Sequence, residues 1–173
     1  MANMTAPSSG SVGSFSAAAP LMQAVDLQSS PEEAFALLCE VEKWPVWLSF
    51  LRSVRLADPG TPVGPGSEVI VRSSIPGKTE ELYEVDQFIS SYRLSLVGAY
   101  SVRRRIDFRI ERKTTRSKMA IRLDYPAYGG WFAALMDRVT ARRKLSGALE
   151  DSLEHFKGLV EYRQAPDALL ADF

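Results

Sequence analysis

The run SVRRRIDFRIERK, Ser101 to Lys113, restricts this chain more than any other stretch. Ser101, Arg103, Arg105, Asp107, Arg109 and Glu111 alternate with Val102, Ile106, Phe108 and Ile110, so an extended strand here is charged on one side and apolar on the other. Such a strand buries one face and wets the other, which is the habit of antiparallel sheets. SKMAIRLDY repeats the pattern, with Met119, Ile121, Leu123 and Tyr125 on one side and Lys118, Arg122 and Asp124 on the other. After PAYGG the period changes. Leu135, Val139, Leu149, Leu153, Phe156 and Val160 recur at helical spacing and predict a long amphipathic helix from about Trp131 to about Tyr162. A half-buried sheet followed by one long helix with a single apolar stripe has a natural solution, in which the helix lies across the sheet's apolar face.

The remaining segments fill in this plan. Pro20 to Gln28 reads as a first strand. In SSPEEAFALLCEV, Ser30 is placed to cap a helix, Pro31 to open it, and Glu32 and Glu33 to meet the positive end of its dipole; Ala34, Phe35, Leu38 and Cys39 form its apolar face. Trp44-Pro45 breaks that helix, and a second short one is expected from about Val46 to Leu51. Ser53 to Leu56 leads into ADPGTPVGPGS, a Pro/Gly loop. Strands follow in GSEVIVRSS, in Thr79 to Ile89 after an IPGK turn, and in SSYRLSLVGAYS. No internal repeat is present. The expected organisation is a flexible tail over 1–19, one domain over 20–163 and a second tail over 164–173.

Composition removes several functions. Lysine plus arginine equals aspartate plus glutamate at 21 each, so there is no global field to attract nucleic acid or an anionic membrane. The arginines of RRRIDFR share their face with acids and with no aromatic row, which argues for a solvated strand face over a nucleic-acid surface. The single cysteine, Cys39, allows no internal disulfide or thiolate cluster and reads as a buried structural thiol. The only histidine, His155, falls off the apolar stripe of the last helix, and HExxH, GxSxG and P-loop patterns are missing. No metal and no cofactor are expected. No apolar run is long enough to span a bilayer, which leaves transient membrane contact as the most that is expected; the first residues lack the regions of a signal peptide, and the expected location is the cytoplasm.

The order of elements, the PEEAF helix opening, the EKWPVW hinge, the G-S-E-V strand after a Pro/Gly loop, and the long final helix ending near VEY resemble the helix-grip proteins of the START-like (SRPBCC) superfamily, in particular the polyketide cyclase/dehydrase and lipid-transport group. The resemblance spans about Leu21 to Arg163. It implies an α+β helix-grip fold, a curved antiparallel sheet wrapped around the C-terminal helix, with two short helices after the first strand. It also implies a deep, mostly apolar cavity between sheet and helix, used to carry hydrophobic ligands or to catalyse cyclisation and dehydration.

Candidate cavity residues follow from parity and position. With the superfamily register, Glu81, Tyr83, Val85 and Gln87 point inward, whereas the opposite parity would bury Glu80, Glu84 and Asp86. Three of the four inward groups can hydrogen-bond, and they must meet one another, water or a ligand, because an unpaired buried polar group costs about 1–3 kcal/mol. Arg104 shares parity with Ile106 and Phe108 and is expected at a cavity mouth, either pairing with an anionic ligand group or snorkelling to solvent. Trp44 and Trp47 are core residues or part of a pocket wall, Trp44 being the stronger wall candidate. Tyr125, Tyr128 and Trp131 flank Gly129 and Gly130 at the expected opposite gate. The expected ligand-binding set is therefore Trp44, Trp47, Glu81, Tyr83, Gln87, Arg104, Phe108, Tyr125 and Trp131. The leading function is binding or transport of a hydrophobic small molecule such as a lipid, quinone or polyketide-like ring system. A cyclase or dehydratase using Tyr83, Gln87 and Arg104 is the alternative, and a partner-binding adaptor is a third. Ligand identity, catalysis and oligomeric state are not fixed by the sequence.

Overall fold

The computed structural model describes residues 19–73, 80–114, 116–124 and 139–170. The elements are β1 (Leu21–Leu27), α1 (Pro31–Cys39), a 3-10 turn (Val41–Lys43), α2 (Trp44–Trp47), β2 (Leu51–Leu56), β3 (Glu68–Ser73), β4 (Glu81–Ile89), β5 (Arg93–Gly98), β6 (Ser101–Lys113), β7 (Arg116–Asp124) and the final helix α3 (Val139–Leu170). The strands form one seven-stranded sheet in the order β1-β7-β6-β5-β4-β3-β2, antiparallel at every junction. It is a meander from β2 to β7, with β1 added beside β7. The sheet curls around α3 as a half-barrel, the helix-grip arrangement.

Alternation accounts for the two layers. Ile106, Phe108 and Ile110 of β6 and Met119, Ile121 and Leu123 of β7 are buried on the inner face, where they share one core with Leu145, Leu149, Leu153, Phe156 and Val160 of α3. Each such side chain contributes on the order of 1.5–3 kcal/mol when fully buried. α3 is held by polar contacts as well: Gln23 Nε2 of β1 donates to Ser146 Oγ at 2.8 Å, and the amide of Gln28, just after β1, donates to Glu161 Oε1 at 3.0 Å. As described, α3 continues to Leu170, past the Arg163 boundary expected for the domain. The IPGK turn and the helix residues expected before Val139 lie outside the described residues.

The helices after β1 differ from expectation in one respect. α1 opens on Ser30 with a reciprocal cap, Ser30 Oγ accepting from the Glu33 amide and the Glu33 carboxylate accepting from the Ser30 amide. It closes at Glu40, before the tryptophans, and α2 begins on Trp44, two residues earlier than the Val46 start expected. Proline in the first turn is pre-shaped to start a helix, so Pro45 draws Trp44 into α2, and Leu51 is left to begin β2.

Glu40 fastens this joint to α3. It accepts from Arg163 Nη1 at 2.6 Å and Nη2 at 3.2 Å and also pairs with Lys43. The Arg163 hydrogen bond, helped by Lys43, holds the Glu40 carboxyl down to about 2, from 4.5. A carboxyl lowered in the folded state adds stability that is complete above its ordinary range and is lost as pH falls through the lowered value. Arg163→Met is therefore expected to reduce stability at neutral pH by less than about 1 kcal/mol, since both partners reach solvent. The deficit relative to the parent should disappear on acidification toward pH 2. Thermal melts of both proteins across that range check it; a deficit independent of pH would place the role of Arg163 in packing.

Candidate functional site

The inner faces of β4, β5 and β6 are apolar through Tyr83, Val85, Leu94, Leu96, Ile106 and Phe108, all buried. One polar cluster interrupts them. Arg104 Nη1 donates to Glu81 Oε1 at 2.8 Å, and Tyr83 Oη donates to Glu81 Oε2 at 3.2 Å, so one carboxylate accepts from a guanidinium and a phenol. Glu81 and Tyr83 alternate on β4, whereas Arg104 lies two strands away, about 10 Å across the sheet. Gly98 of β5, which pairs with Tyr83, lies between them and puts no side chain in the way of the guanidinium. Both charged groups keep partial access to solvent, 24% for Arg104 and 17% for Glu81. A pocket of about 130 Å³ opens beside the pair, lined by Glu80, Glu81, Leu82, Tyr83, Gly98, Tyr100 and Arg104. It lies at the end of the sheet where β7 leaves, since Asp124 pairs with Arg105. Tyr125 and Trp131, which follow Asp124, lie outside the described residues, as do Tyr128, Gly129 and Gly130.

The register expected for Gln87 does not hold. Val85 pairs with Leu96, but Gln87 pairs with Ser95 and Phe88 with Leu94, so β4 carries a bulge at Asp86. Residues paired across strands share a face. The extra residue therefore turns Gln87 outward with Ser95 and brings Phe88 inward, where its ring meets Phe35 at 5.4 Å. The signal was present in the sequence: Val85 and Phe88, both apolar and three apart, cannot share a face of a regular strand.

Trp44 and Trp47 are both fully buried. The Trp44 ring lies 5.0 Å from Phe108 and 6.5 Å from Trp47, and its Nε1–H donates to the Leu38 carbonyl at 2.8 Å, which ties α2 to α1. Trp47 lies edge-on to Phe156 at 4.8 Å and to Phe108 at 6.1 Å. Its own Nε1–H has no hydrogen-bond partner among the described residues. Trp44, Trp47, Phe108 and Phe156 thus pack as four touching rings where α2, β6 and α3 meet.

The outer face is less simply solvated than its charges suggested. Asp107 is only 2% exposed, covered by Arg93, whose Nε and Nη2 donate to it at 2.7 and 3.0 Å, and by Arg109 Nε at 3.1 Å. Arg105 bonds Ser95 and pairs with Asp86 at 2.7 Å, the bulge residue. These arginines have acidic partners within the sheet. Cys39 is partly buried, and burial pushes its thiol up to about 11, so it holds its proton at neutral pH. His155 is exposed. Among the described residues, no three His, Cys, Asp or Glu side chains gather to hold a metal, and no helix is long and apolar enough to cross a membrane. A hollow of about 400 Å³ beside the Pro/Gly loop, lined by Leu56, Thr61, Pro65 and Glu68 among others, meets none of the candidate residues.

A curled sheet gripping one long helix, apolar between the layers and polar at one end, defines a helix-grip protein. The chain belongs to the polyketide cyclase/dehydrase and lipid transport family, whose model matches residues 21–161. Solved structures share the fold at low identity. TTHA0849 from Thermus thermophilus matches with a TM-score of 0.65 at 13% identity over 84% of this chain and 99% of that one. The KanY protein matches at 0.63 and 15% over 83% and 97%, and DR_A0006 from Deinococcus radiodurans at 0.59 and 19% over 80% and 95%. No curated protein matches the sequence significantly.

Proposed function

We propose that this protein binds a hydrophobic small molecule, a lipid, quinone or polyketide-like ring system, between the sheet and α3, and carries it without altering it. The observation that carries the reading is the Arg104–Glu81–Tyr83 cluster, set beside the buried apolar side chains of the inner faces of β4, β5 and β6. Ligand sites have this composition, an apolar body with a few oriented polar groups. Membership of a family described by cyclase, dehydrase and lipid-transport roles supports it. Trp47, Phe108 and Tyr83 form the inner part of the proposed site, and Tyr125 and Trp131 belong to it on the sequence argument. In this reading the protein works in the cytoplasm and needs no cofactor.

Because Glu81 already neutralises Arg104, an anionic ligand has to compete for the guanidinium. Arg104→Met is expected to weaken dodecanoate about tenfold and leave 1-dodecanol nearly unchanged, while Glu81→Gln strengthens dodecanoate, as befits a charge-assisted hydrogen bond. Titration calorimetry with both ligands checks this. Equal changes for the acid and the alcohol would return the pair to a structural role.

The second reading is a cyclase or dehydratase. The Tyr83–Glu81 contact favours it, since a phenol held on a carboxylate beside a guanidinium can steady an enolate or deliver a proton. Turnover of a polyketide-like thioester that vanishes in Tyr83→Phe with binding intact would establish it in place of the carrier.

A further inference from the structure

We infer that the indole N–H of Trp47 is the donor that orients the ligand, and hence that the ligand carries an acceptor oxygen, a ketone, quinone or ester carbonyl, on its apolar body. The inference rests on the proposed carrier function and narrows the class of ligand.

Two neighbouring tryptophans meet opposite fates. Trp44 gives its N–H to the Leu38 carbonyl at 2.8 Å, while Trp47, equally buried, gives its N–H to nothing among the described residues. Ser29 and Ser117 also have buried hydroxyls without partners among those residues. A hydroxyl can rotate toward an acceptor and can itself accept, but an indole N–H is donor-only and fixed in its ring plane. That plane is set by Phe156 at 4.8 Å, Phe108 at 6.1 Å and Trp44 at 6.5 Å. An unmade bond at such a donor is costly, and phenylalanine would fill much of the same space without the penalty. A donor left unpaired between the inner face of β6 and α3 is matched by an acceptor that arrives with the ligand. Arg104 and Glu81 then select at the edge, and Trp47 sets the orientation in the interior.

The test uses the full chain, labelled with 15N at its tryptophans, and two probes of nearly the same shape, 2-acetylnaphthalene and 2-isopropylnaphthalene. The ketone should bind about tenfold more tightly than the hydrocarbon, and the Trp47 indole resonance, assigned through a Trp47→Phe spectrum, should move downfield with the ketone alone. Trp47→Phe should equalise the two affinities. If that variant does not fold, the resonance is assigned by through-space contacts to Phe156 in the parent, and the probe comparison stands unaided. Equal affinities with an unmoved resonance would overturn the inference and leave the carrier reading intact, the N–H then resting on a ring face or a trapped water. Failure of both probes to bind would overturn the carrier reading and this inference with it.

Discussion

Trp44→Ala is expected to destabilise the protein by about 3–5 kcal/mol, the range for removing a large aromatic from a core that does not collapse onto the space. The ring is fully buried against Phe108 and Trp47, and its N–H is the bond that ties α2 back to Leu38. A single-turn helix such as α2 has no stability of its own and is held by these contacts. Since small domains are stable by only about 5–15 kcal/mol, a large fraction of the protein should unfold on mild heating. Trp44→Phe, which keeps an aromatic ring but leaves the Leu38 carbonyl short of its donor, should lose about 1–3 kcal/mol. Urea denaturation measures both. A loss under about 1 kcal/mol for Trp44→Ala would mean that the ring borders open space, as a cavity wall does.

On the opposite side of the sheet, Arg93→Met should cost about 2–3 kcal/mol, because it strips the closer of two cations from a carboxylate that water cannot reach. Asp107 would keep only Arg109, whose side chain is 43% exposed and bonds it at 3.1 Å. The double variant Arg93→Met, Asp107→Leu should recover most of the loss, since replacing a buried pair by apolar groups is often neutral while leaving one charge behind is not. Equilibrium unfolding of the two single variants and the double measures the coupling. A double variant as unstable as the sum of the singles would show that the two side chains act independently.

How far the sequence reached depended on whether a feature was local. The alternation in β6 and β7, the stripe of α3 and the cap at Ser30 are set by neighbours along the chain, and each was legible. So was the inward parity of Glu81, Tyr83 and Arg104, although not that they meet, because their contact depends on how three strands are registered over Gly98. The bulge at Asp86 escaped a reading based on strict alternation, and it cost the placement of Gln87. Asp107 looked solvated because Arg93, which covers it, comes from a different strand. The tryptophans were legible as a pair, but which of them keeps a free N–H is decided by the Leu38 carbonyl, freed where α1 ends.

An apolar ligand held between sheet and helix should survive gentle purification, so native mass spectrometry of the protein taken from its own host detects it. A species heavier than the chain by one small molecule is expected, released under denaturing conditions and extractable into organic solvent, and reduced or lost in Trp47→Phe. A spectrum of the bare chain alone, unchanged after incubation with 2-acetylnaphthalene or dodecanoate, would contradict it.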